Sequence, residues 1–169
     1  MTHQGSPKTV AELRELPLDD VPPQLANIWH KVQPTKVKKS DWNKNTEVYY
    51  IYGKSGTGKS TLAKLIADEE FDKVKHVGDF WSQCSGEGCC IYDDFRASHM
   101  TPSEFINFID YRSHMLNIKG GAVRNCYTKI IITSIQSPYE IYTKFPEEGR
   151  KQWLRRLRIV KTDILNKHG

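Results

Sequence analysis

One stretch limits the possible folds more than any other. It is Gly53-Lys54-Ser55-Gly56-Thr57-Gly58-Lys59-Ser60, a full match to the phosphate-binding pattern G-x-x-x-x-G-K-[ST]. The apolar run Val48-Tyr49-Tyr50-Ile51-Tyr52 precedes it, and Leu62, Ala63, Leu65, Ile66 and Ala67 follow at a spacing that puts apolar side chains on one helical face. Strand, loop, helix is the setting in which the pattern has chemical meaning. Gly53, Gly56 and Gly58 admit positive φ, so backbone N–H groups can turn inward around an anion. A helix starting near Lys59 adds unpaired N–H groups and the positive end of its dipole. Lys59 can reach terminal phosphates, and the Ser60 hydroxyl can ligate magnesium. The expected nucleotide-binding segment is therefore Gly53 through Thr61.

A chain of 169 residues can bury one sizeable core, with room for a short appendage. Its 38% hydrophobic and 27% charged residues are ordinary for a globular protein. No apolar run is long enough to span a bilayer, and the amino terminus lacks a basic-then-apolar secretion layout, so a soluble intracellular protein with no membrane partner is expected. The net charge of +5 suits a polyanionic partner without requiring one. Cys84, Cys89, Cys90 and Cys126 lack the C-x2-C pairs of zinc sites. Reduced thiols are expected, with Cys89 and Cys90 acting as small buried hydrophobes.

Residues 1–40 read as two short helices and a basic linker. Thr9-Val10-Ala11-Glu12 is a capping box leading to Leu13 and Leu16. Pro22 and Pro23 open a second stretch with Leu25, Ile28, Trp29 and Val32 at helical spacing. Two such helices make no core alone, so they should dock on the main domain or on a neighbouring subunit. The linker runs over residues 33–40, with Pro34, Lys36, Lys38 and Lys39.

Beyond the phosphate loop, Cys89-Cys90-Ile91-Tyr92-Asp93-Asp94 is an apolar run ending in two aspartates. A parallel strand buried on both faces reads this way, and its carboxyl end opens onto the ligand crevice. Asp93 would hold magnesium, directly or through water, and Asp94 would accept a hydrogen bond or a proton from the attacking water. A turn or cap role for Asp94 is the plain alternative. Thr101-Pro102-Ser103-Glu104 starts a capped helix with Phe105, Phe108 and Ile109 on one face. Lys119-Gly120-Gly121 with Arg124 suits a hairpin tip, either a plain surface turn or a contact to nucleic-acid phosphates. The strand Ile130-Ile131-Ile132-Thr133 follows, and Ser137-Pro138-Tyr139-Glu140 predicts a further capped helix carrying Ile141, Tyr142 and Phe145. Arg150 to Arg158 reads as a basic, partly apolar helix leading into Ile159 and Val160. It is either a solvated face or the source of an arginine finger.

In this order and spacing the chain resembles the helicase domain of the replication initiator (Rep) proteins of circular single-stranded DNA viruses, circoviruses and their relatives. The matching residues are Asp41-Trp42, Val48 to Ser60, Asp93-Asp94-Phe95, Lys119-Gly120-Gly121, Ile131 to Ser134 with Gln136, and Arg155-Arg156-Leu157. The resemblance implies a superfamily 3 helicase, hence an α/β P-loop NTPase of AAA+-like, three-layer α/β/α build around a mostly parallel sheet. That domain would occupy residues 41–169, after a short helical oligomerisation segment. It further implies ATP and Mg2+, a hexameric ring on single-stranded DNA, 3′ to 5′ movement, and a place in the host nucleus. Lys59, Ser60, Asp93 and Asp94 would form the nucleotide motifs, with the Thr133 to Gln136 segment, Ser134 and Gln136 in particular, as the γ-phosphate sensor. Lys119, Gly120, Gly121 and Arg124 would contact DNA, and Arg156, ahead of Arg155, would act in a neighbour's site.

Two departures stand beside the resemblance. Ile135 occupies the place where the family usually has a sensor Asn, and an isoleucine can neither position water nor sense phosphate. Full-length initiators also carry an amino-terminal nicking domain with paired histidines and a nucleophilic tyrosine. His3 and His30 are isolated here, and 40 residues are too few for that domain, so the chain is expected not to nick DNA. The alternatives left open are an ATP-gated binding module with little hydrolysis, an RNA-virus ATPase of the same superfamily, and a small nucleotide kinase.

Overall fold

A computed structural model describes residues 8–31 and 45–162. His3, Val32, the linker at 33–40 and Asp41-Trp42 lie outside them. The helices are α1 (Val10–Glu15), α2 (Ala26–Lys31), α3 (Lys59–Ile66), α4 (Pro102–Ile109) and α5 (Glu147–Leu154). The strands are β1 (Glu47–Tyr52), β2 (Asp72–Lys73), β3 (Lys75–Val77), β4 (Phe80–Ser82), β5 (Glu87–Tyr92), β6 (Met115–Ile118), β7 (Gly121–Arg124), β8 (Cys126–Ser134) and β9 (Leu157–Lys161).

The centre is a five-stranded sheet in the order β2-β5-β8-β1-β9, parallel at every pairing. Its middle strands are apolar on both faces, as a covered parallel sheet requires. Ile51, Cys89, Ile91 and Ile131 turn to one face, where Ala63 of α3 packs on them. Tyr50, Cys90, Tyr92, Ile130 and Ile132 turn to the other and join Phe105, Phe108 and Ile109 of α4 and Trp153 of α5. The two buried cysteines therefore sit on opposite faces as apolar fillers, as expected. The second face is cemented by aromatic contacts, among them Trp81 on Phe108 at 4.5 Å, Phe95 on Phe105 at 5.2 Å and Phe105 on Trp153 at 5.3 Å. Such pairs add roughly 0.5–1.5 kcal/mol each beyond their buried area.

A second sheet, β3-β4-β6-β7, flanks the first. Its β6–β7 hairpin turns at Lys119-Gly120, with Gly120 at φ +86°, so the hairpin tip lies where the sequence put it. Gly86 closes the return to the main sheet. An added Cβ there would sit 2.1 Å from the Arg124 carbonyl oxygen, and Gly86 O accepts from Cys126 N at 2.6 Å.

The amino-terminal segment folds as its caps direct. Thr9 Oγ1 accepts from Glu12 N at 3.1 Å, and Glu12 reaches back to Lys8 N at 2.8 Å. Leu13 and Val21 are buried, Trp29 Nε1 donates to the Leu16 carbonyl at 2.8 Å, and α2 packs against β7. Asn27 of α2 lies so close to Gly120 that a Cβ there would meet its Oδ1 at 2.5 Å.

Two expected helices differ. Residues 137–145 form successive turns, closed by Glu140 N to Ser137 O and Phe145 N to Tyr142 O, both 3.0 Å. Tyr142 takes φ +54°, its ring packs between Phe105 and Trp153, and its hydroxyl donates to Met100 O at 2.9 Å. That tertiary anchorage overrides the local helical spacing. The basic run of residues 150–158 also divides: α5 stops at Leu154, and from Leu157 the chain becomes β9, paired in parallel with β1 from Val48 onward. Buried Leu157 and β-branched Ile159 and Val160 favour a strand there.

Candidate nucleotide site

All the elements of the site meet at the carboxyl end of the central sheet, where open α/β sheets bind ligands. β1 ends at Tyr52, and Gly53 N is tied to the Ser134 carbonyl at the end of β8 (3.2 Å). Gly56 (φ +79°) and Gly58 (φ +86°, the cap of α3) then wind the loop. Nothing lies within 4 Å of a Cβ added at either, so backbone conformation, not crowding, requires glycine there. Lys54, Ser55, Gly56, Gly58 and Ser60 are exposed along the loop, and Thr61 is exposed on the first turn of α3. Lys59 Nζ donates to Gly53 O at 2.9 Å and Lys54 O at 2.8 Å, so its ammonium is already directed across the loop.

Asp93 lies opposite Ser60. Its Oδ1 accepts from Ser60 Oγ at 2.9 Å and from Thr133 Oγ1 at 2.7 Å. Burial works against its charge, but those hydrogen bonds and the nearby Lys73 and Lys75 ammonium groups outweigh it and hold the carboxyl below its usual range. Lys75 Nζ also reaches the Asp93 carbonyl at 3.4 Å and stands over the Tyr92 ring. A hydroxyl facing an ionised carboxylate is a pair of hard oxygen donors suited to Mg2+, so the residues fit the metal that the pattern implies.

Asp94 follows at φ +59°, its side chain mostly in solvent and paired with Arg96. Thr133 Oγ1 accepts from Asp94 N at 2.8 Å, so one threonine holds both aspartates in place. Ser134 is fully buried and donates to Phe95 O at 2.6 Å; Gln136 Oε1 accepts from Ala97 N at 2.8 Å. Both thus shape the chain just after Asp94. Ile135 is 47% exposed at the end of β8.

Lys119 is exposed at the hairpin tip beside Gly120 and Gly121, and Arg124 lies four residues beyond that turn on β7. Arg156 is at the other end of the sheet. Leu157 is level with Val48, four residues before Tyr52, so Arg156, one residue earlier still, is about 16 Å of strand from its own phosphate loop. It lies 3.5 Å from Asp110 and 4.2 Å above the Tyr111 ring, while Arg155 is exposed and bonds to Lys151 O. Sequence reasoning missed Thr133 as the residue bridging the aspartates, and also Lys75 and Arg96. No local motif marks them, because each gains its role from the sheet's topology.

Asp110 itself is almost wholly buried, and Arg112, His114 and Arg156 surround it. Burial raises its pKa, but the His114 and Arg112 hydrogen bonds and the two arginine charges lower it further, leaving a net depression. A depressed carboxyl adds stability above its unfolded pKa of ~3.9 and loses it as pH falls through the lower folded value. Asp110→Asn is therefore expected to cost about 1–3 kcal/mol at pH 7 and progressively less below pH ~4. Urea unfolding at the two pH values measures this; an equal cost at both would refute the charge account.

Fold and site together define a P-loop NTPase-like domain. Residues 49–135 match the family model described as RNA helicase, and the chain belongs to this helicase family, of the superfamily 3 type. It is 38% identical over 97 residues to the replication-associated protein of Canary circovirus, a match covering 57% of this chain and 32% of that protein. It is 34% identical over 101 residues to the replication protein of Onion yellows phytoplasma (strain OY-M), covering 54% of this chain and 25% of that protein. The chain thus spans a third or less of the length of these curated relatives. Among the described residues no helix is long and apolar enough to cross a membrane.

Proposed function

We propose that this chain is the ATP-driven motor domain of a replication initiator, hydrolysing ATP with Mg2+ to move on or unwind single-stranded DNA during rolling-circle replication. The observation that carries the reading is the join between the two halves of the site: Ser60 of the phosphate loop hydrogen-bonds Asp93 at the end of β5, with Thr133 holding both aspartates. Gly53 to Thr61 would wrap the phosphates, and Lys59 would turn from the Gly53 and Lys54 carbonyls to the β- and γ-phosphates. Ser60 and Asp93 would hold Mg2+, which supplies charge neutralisation on the transferring phosphoryl group. Asp94 would orient the attacking water once released from Arg96. Ser134 and Gln136 would respond to the γ-phosphate through the backbone of residues 95–97.

The position of Arg156 supports an assembled form. It lies too far from its own loop to serve it, so a finger role requires another copy, and we propose a hexameric ring. Residues 1–40 would contribute to that assembly, and residues 41–169 form the motor. Lys119, Gly120, Gly121 and Arg124 would face DNA in the ring's channel, binding backbone without base preference. Replication of this kind would place the protein in a host nucleus, joined in its full-length form to a nicking domain.

A second reading, an ATP-gated module with little turnover, draws on the half-exposed, apolar Ile135. Steady-state ATP hydrolysis over a range of protein concentrations, with and without single-stranded DNA, separates the two. Specific activity that climbs with concentration and rises with DNA is the expected result. Nucleotide binding with negligible phosphate release at every concentration would overturn the motor in favour of the module.

A further inference from the structure

β9 ends against the phosphate loop. Thr162, the next residue, is 1% exposed, and its hydroxyl lies 2.6 Å from Thr57 Oγ1 and 3.3 Å from the Tyr52 carbonyl oxygen. Thr57 Oγ1 lies 2.7 Å from the Lys54 carbonyl, which also accepts from Lys59 Nζ at 2.8 Å. A hydroxyl has one proton to give. Two protons face three contacts, since the Lys54 and Tyr52 carbonyls can only accept; the contact to Tyr52 is the longest, so the arrangement that satisfies both short contacts has Thr57 donating to Lys54 O and Thr162 donating to Thr57. In the resulting chain Thr162 donates to Thr57, and Thr57 and the Lys59 ammonium both donate to the Lys54 carbonyl.

We propose that Thr162 is a positioning residue for the nucleotide, acting on the phosphate loop through Thr57 and the Lys54 peptide. A phosphate loop works only while its N–H groups, not its carbonyls, face the anion. The Thr57 proton pins the Lys54 carbonyl on the side where it meets Lys59, and buried Thr162 fixes the rotamer of Thr57 that makes this possible. Neither threonine is a defining position of the loop pattern, and Thr162 lies outside the segment matched by the helicase family. The inference rests on the nucleotide reading of the loop.

The test is the affinity of a fluorescent ATP analogue, with Mg2+, for the wild-type chain and for Thr162→Val, Thr162→Ser, Thr57→Val and the double valine variant, with Tm recorded for each. Thr162→Val is expected to bind roughly five- to tenfold more weakly, Thr162→Ser to restore binding to within about twofold, and the double variant to be no weaker than Thr57→Val alone. Affinity unchanged in Thr162→Val, a lower Tm being its only effect, would overturn the link. So would losses that multiply in the double variant. If Thr162→Val does not fold, Thr57→Val against Thr57→Ser reads the same chain from the loop side, and equal affinity in those two overturns it. A wild-type chain that fails to bind the analogue removes the nucleotide reading itself. Wild-type binding matched by Thr162→Val removes the link alone.

Discussion

Lys59→Ala is expected to lower ATP hydrolysis by ~100-fold or more while leaving the fold nearly intact. The ammonium is held across the loop by two main-chain carbonyls, so in the proposed reading the positive charge is in place before any ligand arrives. Removing that charge takes away stabilisation that grows as negative charge accumulates on the transferring phosphoryl oxygens. Its structural part is small, because the same carbonyls can turn to water at a cost of about 1 kcal/mol. Hydrolysis, analogue affinity and Tm measured on one preparation separate these effects. A wild-type rate in Lys59→Ala would mean that the catalytic site is elsewhere.

Arg156→Ala is the second large effect, and it should appear in turnover, not in nucleotide affinity. An arginine supplied to a neighbour's site accounts for about 10³–10⁵ in rate where it has been dissected. Arg156 shares Asp110 with Arg112 and His114, so its removal leaves that carboxylate paired and the chain folded. Arg156→Lys keeps the charge but loses the planar fork, and should recover little. Mixing Arg156→Ala with Lys59→Ala chains gives a sharper readout. An intact loop beside an intact arginine then recurs at about one interface in four, so two inactive proteins should regain a comparable share of wild-type hydrolysis. No recovery on mixing, or a normal rate in Arg156→Ala alone, would exclude the in trans role.

The parts of the molecule readable from sequence were those in which local chemistry and tertiary need coincide. Gly56 and Gly58 need positive φ, and little else fits. Thr9 and Thr101 cap the helices they precede, and the apolar run ending at Asp93 became a central strand. The failures came where distant residues decide. Tyr142 abandons a helical pattern because its ring fits between Phe105 and Trp153. The arginine run changes from helix to strand because Leu157 finds Val48 across more than a hundred residues of chain. Thr133 was legible as a strand end but not as the clasp on Asp93 and Asp94, since its side chain could equally have bonded its own turn. Ser134 and Gln136 entered as the γ-phosphate sensor that the resemblance implies, and sequence does not reveal that Phe95 O and Ala97 N await them.

β9 gives this arrangement a mechanical meaning. It is a single extended segment of five residues, about 16 Å of chain, with Arg156 just before its first residue and Thr162 just after its last. A strand hydrogen-bonded in register along β1 resists stretching, bending and sliding, so its two ends keep a fixed separation. In a closed assembly, the arginine touching one subunit's phosphate would be the handle of a rod whose far tip bears on the next subunit's loop.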